Sequence, residues 1–418
     1  MSFGPPPAGF KSPDPPAWAA PTEVEQALLD AKSREDWPAY FATLARNRLY
    51  FEVLREKAEA RFLNTYSVFG HDPRVPGGKV WAVYTEGMLP APEPHRVFDW
   101  REFAWFTKGW TPDFPEMMVI NPGSPCEAFL PAAPPHSHVW AQYAKHTDGP
   151  SDEPALRTLR VGGPLRGPVA HGLACGAHLI VHHGRPWNAL AYHGHGYRYE
   201  RRMLRNSWGV TSRPEWQAQQ RALLATEGAK PVWEFALGLR RTIAQEVGGH
   251  VETGHWCETA ARVLRLRAGG ETFLTPDGVT TTTPMPAAET ETRIQGVQHL
   301  IGRITRYEAR MRADGLLGDG QYVTSVDAWD LGRASCMARW GMSTRYGTLP
   351  EAEAAVVEAG YHAARRYESW QGFSVGFILG RCLHFDNDRF GSWYEDMVTV
   401  HRILMSDPGS PWVNIPFR

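Results

Sequence analysis

The 418-residue chain has little cysteine chemistry to offer: its five cysteines, Cys126, Cys175, Cys257, Cys336 and Cys382, are scattered, odd in number and never spaced C-x-x-C. That argues against a disulfide framework or a structural zinc site. Long apolar runs are missing too. The best, residues 373–383, is interrupted by Arg381 and falls short of the roughly 18 residues that span a bilayer. Excess charge of either sign is absent, the formal net charge being −1 with acidic and basic residues interspersed, so no broad field favours nucleic acid or an anionic membrane as partner. The arginines of residues 198–205 read as a solvated or carboxylate-paired helix face. The first 21 residues are proline-rich and lack the basic start and apolar run of a secretory signal, which predicts a loosely packed arm and a cytoplasmic location. Phosphate-loop, nucleophile and metal signatures are also missing, so no cofactor is expected. A chain of this length still supports two or three domains with proper cores.

What the chain does contain centres on residues 325–353. Read as a helix, this stretch sets Val326, Trp329, Arg333, Cys336, Met337 and Trp340 at spacings of three and four, an apolar stripe with an arginine inside it. Gly341 is expected to stop that helix. Thr348 then caps a new one, with Pro350 in its first turn and Glu351 closing a capping box. The order Trp-Gly-apolar-hydroxyl-hydroxyl-Arg of residues 340–345 also occurs at residues 208–213. Two such corners, Trp208-Gly209 and Arg339-Trp340-Gly341, frame a helical domain.

Before them the pattern differs. Two amphipathic helices follow Thr22, separated near residues 33–36, where Ser33 with Asp36 makes a cap. Strand-like runs at residues 49–54, 79–85 and 117–123 are bounded by glycine and proline, and residues 99–110 form an aromatic-rich helix candidate. The segment Trp37 to Phe41 and the run Met118-Val119-Ile120-Asn121-Pro122-Gly123-Ser124-Pro125 resemble the N-terminal domain of the SseB family over residues 22–131. The resemblance implies a binding or regulatory module without an assigned catalytic residue. For the Asn-Pro-Gly-Ser piece itself the simplest physical reading is a tight turn.

Residues 132–168 read as a linker, and residues 169–418 as mainly helical. Nine of the 17 histidines fall between His136 and His195. If residues 172–181 extend a single helix back to His171, then His171, His178 and His182 share a face, a candidate metal set; histidines bonded to other partners are the alternative. Helices are expected at residues 197–209, from a Ser212/Glu215 cap, at 232–246, 253–268, 295–313 and 350–370, with an exposed Thr-Pro loop at 275–288. Gly372, Gly376 and Gly380 recur every four residues, which predicts close approach of a neighbouring helix or a ligand groove. Trp208-Gly209-Val210, residues 329–334, 338–341, Leu379-Gly380-Arg381 and Ser410-Pro411-Trp412 resemble family 1266 of bacterial domains of unknown function, the family of YbeU and YbeR, over residues 169–417. That resemblance implies a helical cytoplasmic domain with no established reaction.

The fold expectation is therefore α+β, a small N-terminal α/β domain followed by a larger, mainly helical one. Two functions fit. One is a non-catalytic interaction or regulatory protein, immunity-like or secretion-associated, with a protein partner, since abundant Trp, Tyr and Arg suit interface anchors. The other is a hydrolase using Asp327, Asp330 and Arg333, with or without the help of a metal, in which an arginine keeps a carboxylate ionised as base or ligand. Against it stands a purely structural role, an Asp330–Arg333 pair fixing the helix against the Trp208 corner. Cys336 and Cys382 fall on apolar faces and are poor nucleophiles.

Overall fold

The computed structural model describes residues 18–418 except 56–66, 91–92, 94–95, 109–110, 146–148, 150–153, 160–162, 191–195, 271, 276–277 and 282. Most of the proline-rich arm, Trp110, and His146, His193 and His195 thus lie outside the described residues. The chain forms a small α/β unit followed by a larger, mainly helical one.

Helix α1 (Glu23–Ser33) opens with a capping box between Thr22 and Glu25. Buried Glu25 also accepts from the Thr85 hydroxyl and from Gly87 N–H at 3.2 Å, so one carboxylate caps the helix and fixes it to the sheet. Helix α2 (Trp37–Ala45) is capped by Asp36, which accepts from Ala39 N–H at 3.1 Å. Ser33, expected to share that cap, instead returns its hydroxyl to Leu29 within α1. There follow β1 (Arg48–Val53), β2 (Gly70–His71), β3 (Lys79–Tyr84), a 3-10 turn (Glu86–Met88), β4 (Val97–Glu102), α3 (Phe103–Phe106), β5 (Met117–Ile120), β6 (Ala128–Pro131) and α4 (His136–Ala144). Strands run in the order β4-β1-β3-β5-β6, with β2 beside β3; β3 and β5 are parallel and the other pairs antiparallel. Of the described residues in the helix expected over 99–110, only Phe103–Phe106 are helical; residues 99–102 are strand, because β4 pairs with β1 along all six of its residues and that ladder outweighs local aromatic spacing. The linker reading of residues 132–168 missed α4, whose Trp140 is buried and stacks near Phe103 at 6.1 Å. Asn121 is a turn residue: buried, with φ 48°, it accepts from Thr85 N–H at 2.8 Å and ties β5 to the end of β3.

The helical unit comprises α5 (Gly167–Cys175), α6 (Ala177–His182), α7 (Tyr197–Trp208), α8 (Arg213–Leu224), α9 (Pro231–Val247), α10 (Thr253–Ala268), a hairpin of β7 (Thr272–Thr275) and β8 (Gly278–Thr281), α11 (Ala287–Ala313), α12 (Asp327–Ser343), α13 (Leu349–Arg366), α14 (Trp370–Phe385), α15 (Ser392–Ser406) and α16 (Pro411–Asn414). Part of the expected loop at 275–288 is that hairpin. The helix expected over 172–181 is broken at Gly176, where a Cβ would stand 2.8 Å from Ser335 Oγ on α12. Ser212 makes no side-chain cap; Glu215 binds Thr211 N–H and its hydroxyl instead, at 2.7 and 2.9 Å. The Thr348/Glu351 box forms, but α13 stops at Arg366 and Ser369 caps α14 separately.

Helix α12 is enclosed: along its length only Arg333, Trp340 and Ser343 keep any exposure. It also passes through Gly341, where termination was expected. Trp216 of α8 lies against Gly341 and donates from its indole to Met337 O at 2.9 Å, so this glycine seats a ring rather than ending a helix. Among the described residues no helix is long and apolar enough to cross a membrane.

A second helix pair carries an ion pair that sequence reading passed over. Arg240 of α9 donates twice to Glu308 of α11, both at 2.7 Å, with side chains 5 and 4% exposed. Glu308 also takes Val323 N–H, and Trp256 and Tyr322 sandwich the guanidinium at 4.4 and 4.6 Å. Glu308→Ala, which strands the arginine, is expected to cost about 3–5 kcal/mol in urea unfolding, whereas the paired change Arg240→Met/Glu308→Leu costs far less.

Candidate functional site

The candidate acids sit on the first turn of α12 but do not act together. Asp330 is fully buried; it accepts from Arg333 Nη2 and from Ala229 N–H at 2.9 Å. A Cβ on Gly228 would stand 2.6 Å from both Asp330 Oδ1 and Arg333 Nη2, so backbone closes that side. The Arg333 guanidinium lies 3.3 Å from the Trp329 ring centre and 5.4 Å from that of Trp208. Trp208 in turn lies 5.8 Å from Trp340. Both Trp-Gly corners thus meet around this pair. Burial pushes the Arg333 pKa down and Asp330 opposes it. Asp327 belongs elsewhere. It pairs with Arg366 Nε at 2.5 Å and lines an open depression of about 480 Å³ with Thr226, His362 and Arg365. The expected Asp327/Asp330/Arg333 constellation is therefore divided between a closed pair and an open wall.

A third carboxylate, Glu234 of α9, went unnoticed in the sequence. It accepts from Ser325 Oγ at 2.9 Å and Val326 N–H at 2.7 Å, capping the start of α12, and burial with help from Asp327 pushes its pKa up. Nothing in its local pattern distinguishes it from any first-turn acid. The same holds for the role of Arg339. Fully buried, it pairs with no carboxylate among the described residues and donates to the carbonyls of Pro186 at 3.3 Å, Leu173 at 3.4 Å and Trp187; burial pushes its pKa down to about 10. Arg339 thus holds residues 186–187, which also pair with residues 157–159 through Trp187 N–H and the Asn188 side chain. That carries Arg185 to within 3.6 Å of Glu86 at the sheet. Helix α7 crosses the same seam: Tyr197 packs in the sheet core, Leu204 in the helical one.

The remaining candidates are structural. A Cβ on Gly376 would stand 2.6 Å from Ser325 O, and one on Gly380 2.7 Å from Trp329 Cβ; α12 fills that groove. Gly372 lines a separate open depression of about 440 Å³ with Arg241 and Arg366. The histidines diverge. His171 bonds Phe417 O at 2.9 Å, His178 bonds Ser374 Oγ at 2.9 Å, and His182 lies 3.9 Å from Asp396. Among the described residues no three His, Cys, Asp or Glu side chains are grouped to hold a metal. Cys336 and Cys382 are buried, and burial pushes both thiols up, Cys336 to about 12.

The family described as "Protein of unknown function (DUF1266)" matches residues 203–417. The chain belongs to the DUF1266 family. No curated protein and no solved structure gives a match. The DUF1266 span begins within α7, so it contains Trp208, the Asp330–Arg333 pair and Arg339. All three carbonyl partners of Arg339, on Leu173, Pro186 and Trp187, lie before it.

Removing either member of the Asp330–Arg333 pair is expected to destabilise the fold by about 3–5 kcal/mol; matched urea melts of Asp330→Asn and Arg333→Ala check this. A pH effect follows from the histidine pair around Ser374. His401 Nδ1 lies 2.7 Å from Ser374 Oγ, and burial pushes the His401 pKa down to about 4 and that of His178 well below normal. Unfolding lets both take up protons near pH 6.5, so their contribution is present above that pH and lost progressively as pH falls toward 4. Subtracting the stability–pH curve of His401→Gln from that of the wild type should leave a difference that declines through this window.

Proposed function

We propose that this DUF1266 protein is a non-catalytic interaction or regulatory protein of the bacterial cytoplasm, YbeU/YbeR-like in its helical domain. Its N-terminal unit is an SseB-like domain, residues 22–131 extended through α4, followed by a linker and the helical domain at 169–418. The observation that carries the reading is the internal use of the catalytic candidates: Asp330 is closed off by Arg333, Ala229 and Gly228. A general base must reach a substrate proton, and a carboxylate enclosed this way has no approach. An immunity-like or secretion-associated role, with a protein as the partner and no cofactor, fits the same arrangement.

One observation favours a hydrolase as the second reading, the place of the buried Asp327 in the wall of a depression that His362 also lines. Arg366 engages its Oδ2, and His362 faces Glu358 at 3.7 Å, so the two are not set up as a base and its orienting partner. The purified chain is expected to turn over none of a panel of ester, phosphoester, glycoside and peptide substrates, and to recover one partner at fixed stoichiometry from its native host. Turnover abolished by Asp327→Asn with unchanged melting would overturn the proposal.

A further inference from the structure

Arg381 of α14 is a buried cation left over once the internal pairs are assigned. It is 8% exposed, its Nε is enclosed without an acceptor, and among the described residues its guanidinium makes neither a hydrogen bond nor an ion pair. Asp396, whose charge it feels, is turned toward His182 at 3.9 Å. Its two Nη atoms reach the surface and have no acceptor there among the described residues, whereas the Nη atoms of the other buried arginines of the helical core, Arg240 and Arg339, are supplied with acceptors.

Above it lies exposed aromatic surface. The Trp393 ring centre stands 4.7 Å from Arg381 Cζ, and Phe385 stacks on Trp393 at 4.6 Å; these two rings are 39 and 40% exposed. Phe385 continues inward to Trp329 at 6.0 Å and so to Arg333. The charges felt at His384, beside Phe385, are mainly positive, from Arg333 and Lys230, with Asp330 already paired. The loop joining α14 to α15 is held in shape: Asn387, Asp388 and Phe390 have φ of 49, 60 and 53°. Buried Asp386 fixes that backbone by accepting from Tyr307 O–H at 2.6 Å, Phe390 N–H at 2.7 Å and Gly391 N–H at 3.1 Å. Non-glycine residues in this region are strained, and strain maintained by a buried clamp marks places where a surface is presented rigidly.

We propose that Arg381, Trp393 and Phe385 form a docking site for a protein partner that presents an aspartate or glutamate carboxylate beside a large apolar side chain. The carboxylate supplies the acceptors that Arg381 lacks, in the planar pairing a guanidinium favours. The apolar neighbour covers the two rings. Charge complementarity selects this occupant: the patch presents a guanidinium with no acceptor among the described residues, its nearby Asp396 placed against His182, and is rimmed by aromatic area, the composition of an interface anchor.

The proposal rests on the interaction reading above, and its test separates the two. The probe is a displayed library of random dodecapeptides selected against the full chain. Enriched sequences are expected to carry Asp or Glu next to Leu, Ile, Phe or Trp. A synthetic peptide of that sequence, followed by fluorescence anisotropy, should lose about 30-fold or more in affinity with Arg381→Met and about tenfold with Trp393→Ala. Changing its acid to the amide should weaken binding to the wild type and not to Arg381→Met. Arg381→Met should melt no lower than the wild type, because an apolar side chain replaces an unpaired charge; lost binding then cannot be lost folding. Enrichment without a carboxylate, or equal binding by Arg381→Met, overturns the site and leaves the interaction reading in place. A wild-type dimer in sedimentation that Trp393→Ala dissolves also overturns it, assigning the patch to a second copy of the chain.

Discussion

Enclosing α12 on every side takes four charged side chains, Asp327, Asp330, Arg333 and Arg339, largely out of water, and the rest of the helical unit is arranged to satisfy them. An uncompensated charge in a core costs more than most packing errors. Each charge therefore dictates what must stand opposite it. Asp330 needs Arg333 and the Ala229 amide, which brings the loop before α9 against the helix. Asp327 needs Arg366, which fixes the end of α13. Arg339 needs three carbonyls from residues 173–187, which draws the segment before the DUF1266 span into the same core.

These demands link the two units. The carbonyls held by Arg339 belong to the segment that carries Arg185 to Glu86, and α7 buries one end in each core. A buried ion pair adds little net stability over well-packed apolar side chains; what it does here is restrict the register in which α12 can lie. A slide of one helical turn would keep Asp330 with Arg333, which share the helix, but would part Asp330 from the Ala229 amide, Asp327 from Arg366 and Arg339 from its carbonyls. Specificity of arrangement, more than free energy, is what the polar groups of this core contribute.

The same helix projects its order to the surface. Trp340, Trp208, Arg333, Trp329, Phe385, Trp393 and Arg381 succeed one another as a chain of five rings and two guanidinium groups, each contact within the range where ring quadrupole and cation attract or rings pack against one another. At the inner end the cation is matched by Asp330. At the outer end it is not, and there the rings are exposed.

From the sequence alone came the α+β class, most helices, the strands at residues 49–54, 79–85 and 117–123, the Thr348 box, the meeting of the two Trp-Gly corners and the pairing of Asp330 with Arg333. All but the meeting of the corners, which rests on the repeated Trp-Gly order, are local: periodicity, capping residues and spacings of three or four act within a turn or two of chain. Tertiary structure decided the rest. Residues 97–102 became strand because a partner ladder was available, Gly341 continued a helix because Trp216 needed room, and the three histidines diverged because the break at Gly176 sets His171 on its own helix and each ring has a different partner. Which arginine has an acid and which has none is likewise invisible in one dimension, because the partners of Arg240, Arg339 and Arg185 lie 68 or more residues away, and a charge is neutralised by what is near it in space.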